Sequence, residues 1–313
     1  MAPRAWRTWT WRTWTWRAWT WRIRTWRLWA ARRRGIAGAP VGAARRIAAL
    51  MPWAVLLLGA LPGVLPGVLR VEAQDLAALY PRDGRRDLTG ADIDRYPGAG
   101  VLFCHGPDGI PRKAAAAWLI GDPSVVVLNA HNFRNRRLET TREVADCFFQ
   151  IGGRNYDFVP GSIQLGAVPA SQALHITDDW AILRLVRPAE GVRPQPMPAA
   201  PDLGEGPMRL PIVMVSPGGH ENYRGPASLE ACAVRQVDPP SEGGIRRLRH
   251  DCNDGFGGSG SGLFDEAGRL VAMQSASLSM NARKPFDIEF HYGSALAFEG
   301  ELLAALRKAV AAP

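Results

Sequence analysis

From residue 98 onward, apolar positions come in short runs cut by polar, turn-rich stretches. Residues 101–104, 115–120, 125–128, 147–151 and 180–185 form a first set. A stretch rich in Pro, Gly and Ala, 189–207, reads as a connector. Residues 210–215, 232–237, 262–264, 270–274 and 294–298 form a second set. Runs of this length and spacing predict the strands of an all-β sandwich or barrel. From 301 to 310 the apolar positions fall at helical spacing, which predicts one C-terminal α-helix.

Ahead of these sets the pattern changes twice. Residues 74–97 mix Asp, Arg, Gly and Pro and read as an extended N-terminal arm, with Arg85-Arg86 as a solvated charge pair. Further upstream, Arg45-Arg46 precedes an apolar run over 47–69, and Val71-Glu72-Ala73 puts small residues where a signal peptidase cuts. That order predicts a signal segment over 47–73 with cleavage after Ala73, hence a secreted or periplasmic protein that meets a membrane only transiently, during export. The run is long enough to span a bilayer, but Pro52, Pro62 and Pro66 interrupt it as a regular helix. Residues 1–46 repeat Trp-Arg-Thr-Trp. They read either as a basic-aromatic leader or as sequence upstream of the true translation start, and they stay outside the fold.

Charge and cysteine usage then narrow the function. The formal net charge of +9 invites a nucleic-acid partner. Its distribution argues against one. Residues 1–73 carry 13 of the 38 Lys+Arg and a single acid, which leaves the remaining chain with 25 basic and 28 acidic residues. Such a domain has no basic surplus with which to follow a phosphate backbone. Cys104, Cys147, Cys232 and Cys252 all lie beyond the cleavage point. An even number in an exported chain predicts two disulfides. No C-x-x-C or Cys/His cluster is present, so no metal is expected.

Three residues stand out chemically. Ser259 sits in Cys252-Asn-Asp-Gly-Phe-Gly-Gly-Ser259-Gly-Ser-Gly-Leu-Phe. A serine nucleophile needs a sharply turning backbone, which glycine permits, and two N–H groups aimed at one point. Those of Gly257 and Ser259 fit as an oxyanion hole. A Gly/Ser linker is the plainer alternative, but strand-like residues follow on both sides. Position 261 is Ser rather than Gly, so an α/β-hydrolase elbow is not supported. His131 ends the apolar run 125–130, at the tip of a buried strand, where a base is held rigidly yet reaches solvent. Asp179 stands just before the run 180–185, placed to orient an imidazole, with Asp178 as its rival. The order His131, Asp179, Ser259 is that of the chymotrypsin architecture.

Here the sequence resembles the trypsin-like serine peptidases, closest to the bacterial glutamyl-endopeptidase-like branch. Asn129-Ala-His131 is similar to the Thr-Ala-Ala-His box, Asp179-Trp-Ala-Ile-Leu to Asp-Ile-Ala-Leu-Leu, and Gly257-Gly-Ser259-Gly-Ser-Gly-Leu-Phe to Gly-Asn-Ser-Gly-Ser-Pro-Val-Phe. The resemblance covers roughly 98–310. It implies two antiparallel six-stranded β-barrels, 98–188 and 208–313, with the triad in the cleft between them. It also implies the pairings Cys104–Cys147 and Cys232–Cys252. Ser275 matches the family serine that supports the catalytic aspartate, and Ser275-Ala-Ser277 the edge that pairs with substrate backbone. Gln274 stands where glutamate-preferring relatives carry a histidine, and Asn253 or Asp254 where the specificity pocket is lined. Gly258 replaces the aspartate that trypsin-type zymogens pair with a new N-terminus, and no Ile-Val-Gly-Gly start lies near 98. Maturation by that ion pair is therefore not expected. His105, His175, His220, His250 and His291 are assigned no role beyond surface or core packing.

The expectation is a secreted, monomeric serine endopeptidase that acts on protein or peptide substrates without metal or organic cofactor. The alternative is a catalytically inactive homologue that serves as a binding module.

Overall fold

The computed structural model describes residues 80–167, 171–219, 226–253, 258–277 and 284–312. The Trp/Arg leader, the signal segment, the cleavage point after Ala73, residues 74–79 of the arm, Gly257, Asp254 and His220 lie outside the described residues. In chain order the elements are β1 (Arg86–Asp87), α1 (Gly90–Arg95), β2 (Ala99–His105), β3 (Pro111–Leu119), β4 (Val125–Leu128), β5 (Cys147–Ile151), β6 (Arg154–Asp157), β7 (Gln164–Leu165) and β8 (Ala181–Arg184). Then come β9 (Gly206–Ser216), β10 (Ser228–Val237), β11 (Arg247–His250), β12 (Gly262–Phe264), β13 (Leu270–Ser277), β14 (Gly293–Ala297) and α2 (Gly300–Ala311).

Every named strand pairing is antiparallel. The second half of the chain closes into a six-stranded barrel, β9-β10-β11-β14-β13-β12 and back to β9. The first half is a curled sheet, β6-β5-β2-β3-β4-β8-β7. Its curl brings Phe158, just after β6, against Leu185, just after β8, in one isolated antiparallel bridge. The two-barrel expectation holds, with the first barrel a half-closed version of the second.

Period 2 explains why β3, β4 and β8 read as continuous apolar runs. Ala115, Ala117, Val126, Leu128, Ala181 and Leu183 point into the first barrel's core. Their alternates Trp118, Val125, Val127 and Ile182 point the other way. There they meet Val215, Phe264, Met273 and Leu296 of the second barrel, and Leu302 and Leu306 of α2. A strand buried on both faces has no polar alternate to show. The second barrel keeps its own interior of Ile212, Met214, Val234, Leu248, Leu263 and Val271.

The disulfides join Cys104 to Cys147 and Cys232 to Cys252. Cys104 and Cys147 face each other directly across β2 and β5.

The arm departs from expectation. Its described part is not extended throughout: it carries β1 and α1. The signal was Thr89-x-x-Asp92, a helix-capping spacing. The Asp92 carboxylate accepts the Thr89 N–H and hydroxyl, each at 2.8 Å, and a forked bond from Arg86. Of the pair Arg85-Arg86, Arg86 keeps an exposed side chain and Arg85 does not. Arg85 bonds Asp83 with its side chain only 3% exposed, and Arg86 lies in β1, paired to β10. β1 pairs with the first two residues of β10, Ser228 and Leu229, ahead of the stretch from Val234 that pairs with β11.

Candidate active site

β4 and β8 are neighbours, with Leu128 opposite Ala181. Their ladder therefore delivers the residues beyond one end of β4 to those before β8. His131 sits in the turn Ala130–Asn132 that follows β4. Asp179 follows a similar turn, Ile176–Asp178, that precedes β8. Buried Asn129 stitches the two turns, its side-chain amide donating to the Asp179 carbonyl at 3.0 Å.

The Asp179 carboxylate is 3% exposed and accepts three hydrogen bonds. Oδ1 takes the backbone N–H of His131 at 2.8 Å. Oδ2 takes His131 Nδ1 at 2.7 Å and the hydroxyl of Ser275, on β13, at 2.5 Å. An ionised carboxylate only accepts, so Nδ1 carries the ring proton and Nε2 is left with a lone pair. That lone pair faces Ser259: Nε2 lies 3.0 Å from Oγ. Asp178 does not compete. Its carboxyl turns toward Gly243, Glu301 and His175, and burial pushes its pKa up.

Ser259 is held from both barrels. Its carbonyl accepts the Ala116 N–H of β3 at 2.9 Å, and the carbonyl of Gly260 accepts the Trp118 indole N–H at 2.8 Å. On the other side, Gly260 N–H donates to the Gln274 carbonyl, and Gln274 N–H donates to the Ser261 carbonyl. Gly260 has φ +82°, and a Cβ there would come within 2.1 Å of the Ala116 oxygen. Both conditions demand glycine. The Ser259 carbonyl and the Gly260 peptide are thus held on both sides; Gly257, expected with Ser259 as an oxyanion donor, lies outside the described residues.

Several expected site residues are placed otherwise. Gln274 is fully buried: its Oε1 meets His250 Nε2 at 2.5 Å and its amide donates to the Ala276 carbonyl. His250 Nδ1 accepts the Cys252 N–H, so His250 donates from Nε2. This pair braces the second barrel and is not exposed for substrate contact. The Ser275 hydroxyl bonds Asp179, the supporting place that the resemblance implied. Asn253 is 2% exposed and holds the N-terminal arm: Oδ1 accepts the Tyr80 N–H at 2.9 Å, and Nδ2 donates to the Arg82 carbonyl at 2.8 Å. Ser277 ends β13 half-buried, opposite Gly293. Asn129, Trp118 and Glu230 are the contributors that sequence reasoning missed. Asn129 stood within the histidine box without a role of its own, while the other two carried only the signature of core and strand.

No family model matches the chain, and no curated protein matches it. Among solved structures, one of Glu endopeptidase in complex with MPD aligns with a TM-score of 0.52 at 13% identity, covering 75% of this chain and 100% of that one. The likeness is one of fold: the chain has the trypsin-like two-barrel architecture.

Proposed function

On the premise of that fold, we propose that the chain is a trypsin-like serine endopeptidase that hydrolyses peptide bonds through an acyl-enzyme. One observation carries the reading: a continuous hydrogen-bonded series from Ser275 through Asp179 and His131 to Ser259. Ser259 Oγ attacks the scissile carbonyl while His131 Nε2 takes its proton. Asp179 keeps the Nδ1 proton in place and stabilises the imidazolium. The N–H groups of Ser259 and Gly257 receive the developing oxyanion. The tetrahedral adduct collapses, the C–N bond breaks, and the amine leaves with the proton from His131. Water then repeats the sequence on the ester and returns Ser259.

The substrate is a protein or peptide whose backbone pairs with the β13 edge at Ser277. The glutamate preference named for the neighbouring structure is not carried over, because Gln274 is buried against His250. Two disulfides suit an oxidising compartment, in keeping with export by the segment 47–73. An inactive binding module has less support, since such a protein has no need to hold Nε2 within 3.0 Å of Oγ.

A fluorophosphonate probe tests the reading. It should label Ser259 in the wild type and nothing in Ser259→Ala. His131→Ala should lower kcat by about a million-fold, as losses of triad histidines do. A folded wild type that takes no label overturns the proposal.

A further inference from the structure

A buried polar cluster that the mechanism leaves unused ties the arm to the second barrel. Glu230, on β10, is 5% exposed. Its carboxyl accepts the Gly84 N–H at 3.1 Å, the Asn253 N–H, and the Asn253 side-chain amide at 2.8 Å. Asn253 in turn takes the Tyr80 N–H and gives to the Arg82 carbonyl. Both amide protons and the amide oxygen of Asn253 are therefore committed, so neither Asp nor Gln can replace it without loss. The Tyr80 ring packs edge-on against Phe286 and His291, and its hydroxyl reaches the His250 carbonyl. One side chain thus reads two backbone groups of the arm. It follows Cys252 of the Cys232 disulfide directly and stands six positions before Ser259.

The catalytic loop is anchored at its far end by Ala116, Trp118 and Gln274. Asn253, six positions ahead of Ser259 in the chain, is tied to the arm. We propose that residues 80–87 are a permanent part of the catalytic unit rather than a segment removed on maturation, and that Asn253, Glu230 and Tyr80 are positioning residues for the serine loop. The Arg85 side chain is 3% exposed, and Arg86 lies in β1, paired to β10. The inference rests on the endopeptidase reading above.

The test uses the full chain with Asn253→Ala, Tyr80→Ala, Tyr80→Phe and a distant control, Leu185→Ala, at the first barrel's bridge. Active sites are titrated with a phosphonate, and kcat and KM are measured per titrated site beside the melting temperature. Asn253→Ala and Tyr80→Ala should lower kcat about 10- to 100-fold with KM little changed, the scale expected of a small misplacement of catalytic groups. Tyr80→Phe, which keeps the ring and the N–H, should stay close to wild type. Leu185→Ala should melt earlier yet keep its kcat. Should Asn253→Ala not fold, Tyr80→Ala decides alone. Wild-type kcat per titrated site in the arm variants overturns the inference while leaving the endopeptidase reading intact. An unlabelled wild type removes both.

Discussion

The two barrels contribute to the site in different ways. In the first, His131 and Asp179, the proposed base and its orienting acid, come from adjacent turns of one sheet, joined by the β4–β8 ladder, by Asn129 and by the His131 N–H. Their geometry is local to that sheet. In the second, Ser259, the proposed nucleophile, rides on a turn held by contacts across the seam, from Ala116 and Trp118. The imidazole–carboxylate pair is therefore a property of one barrel, while the Ser259–His131 contact is a property of the assembled molecule. Ser275 is the exception that ties the acid to the second barrel. Close packing makes such seams stiff: Trp118 and Phe264 lie fully buried with ring centroids 5.2 Å apart.

The sharpest way to break this picture is to disturb the local pair alone. Asp179→Asn keeps the shape but presents an amide to a ring nitrogen that must now choose a tautomer. A fall in kcat of about 10,000-fold is expected, the scale seen when an orienting aspartate is neutralised, with stability measured separately by urea unfolding.

A smaller effect should come from the seam. Trp118→Phe removes the indole N–H and leaves the buried Gly260 carbonyl without that donor, which costs about 1–3 kcal/mol. Its kcat should fall as well, because the turn that carries Ser259 loses an anchor. If Trp118→Phe loses stability but not kcat, the nucleophile does not depend on the seam and the contrast between barrels collapses.

The smallest effect concerns α1. Arg86, the Thr89 N–H and the Thr89 hydroxyl together hold the Asp92 carboxyl well below the usual carboxylate range. A depressed acid adds stability that is present above its ordinary pKa near 3.8 and is lost as pH falls through its folded value. The wild type should therefore lose melting temperature more steeply than Asp92→Asn below about pH 4, while the two run parallel near neutrality. Parallel curves throughout the acid range would falsify the assignment.

Much of this was readable before any fold was known, though unevenly. The run 125–128 matches β4, because a strand buried on both faces leaves an unbroken apolar signature, and the runs 147–151 and 262–264 match β5 and β12. β6, with Arg154, Asn155 and Asp157 around a single buried Tyr156, and β11, with its alternating Arg and Leu, lacked that signature and were passed over. Asn253 and Gln274 were read as substrate contacts because alignment assigns positions but not directions. The fold turns both side chains inward, one onto the arm and the other onto His250.

What the sequence determined by itself was the periodicity of the strands, the glycines that let the chain turn at 258–260, and the three residue types the chemistry needs, in an order that two barrels can bring together. These are local facts, set by backbone sterics and side-chain chemistry. Which polar side chain faces the cleft, which ring nitrogen keeps its proton, and what holds the serine loop in place were decided only by tertiary structure. Each depends on partners more than 20 residues away, whose hydrogen bonds exist only once the seam has excluded water.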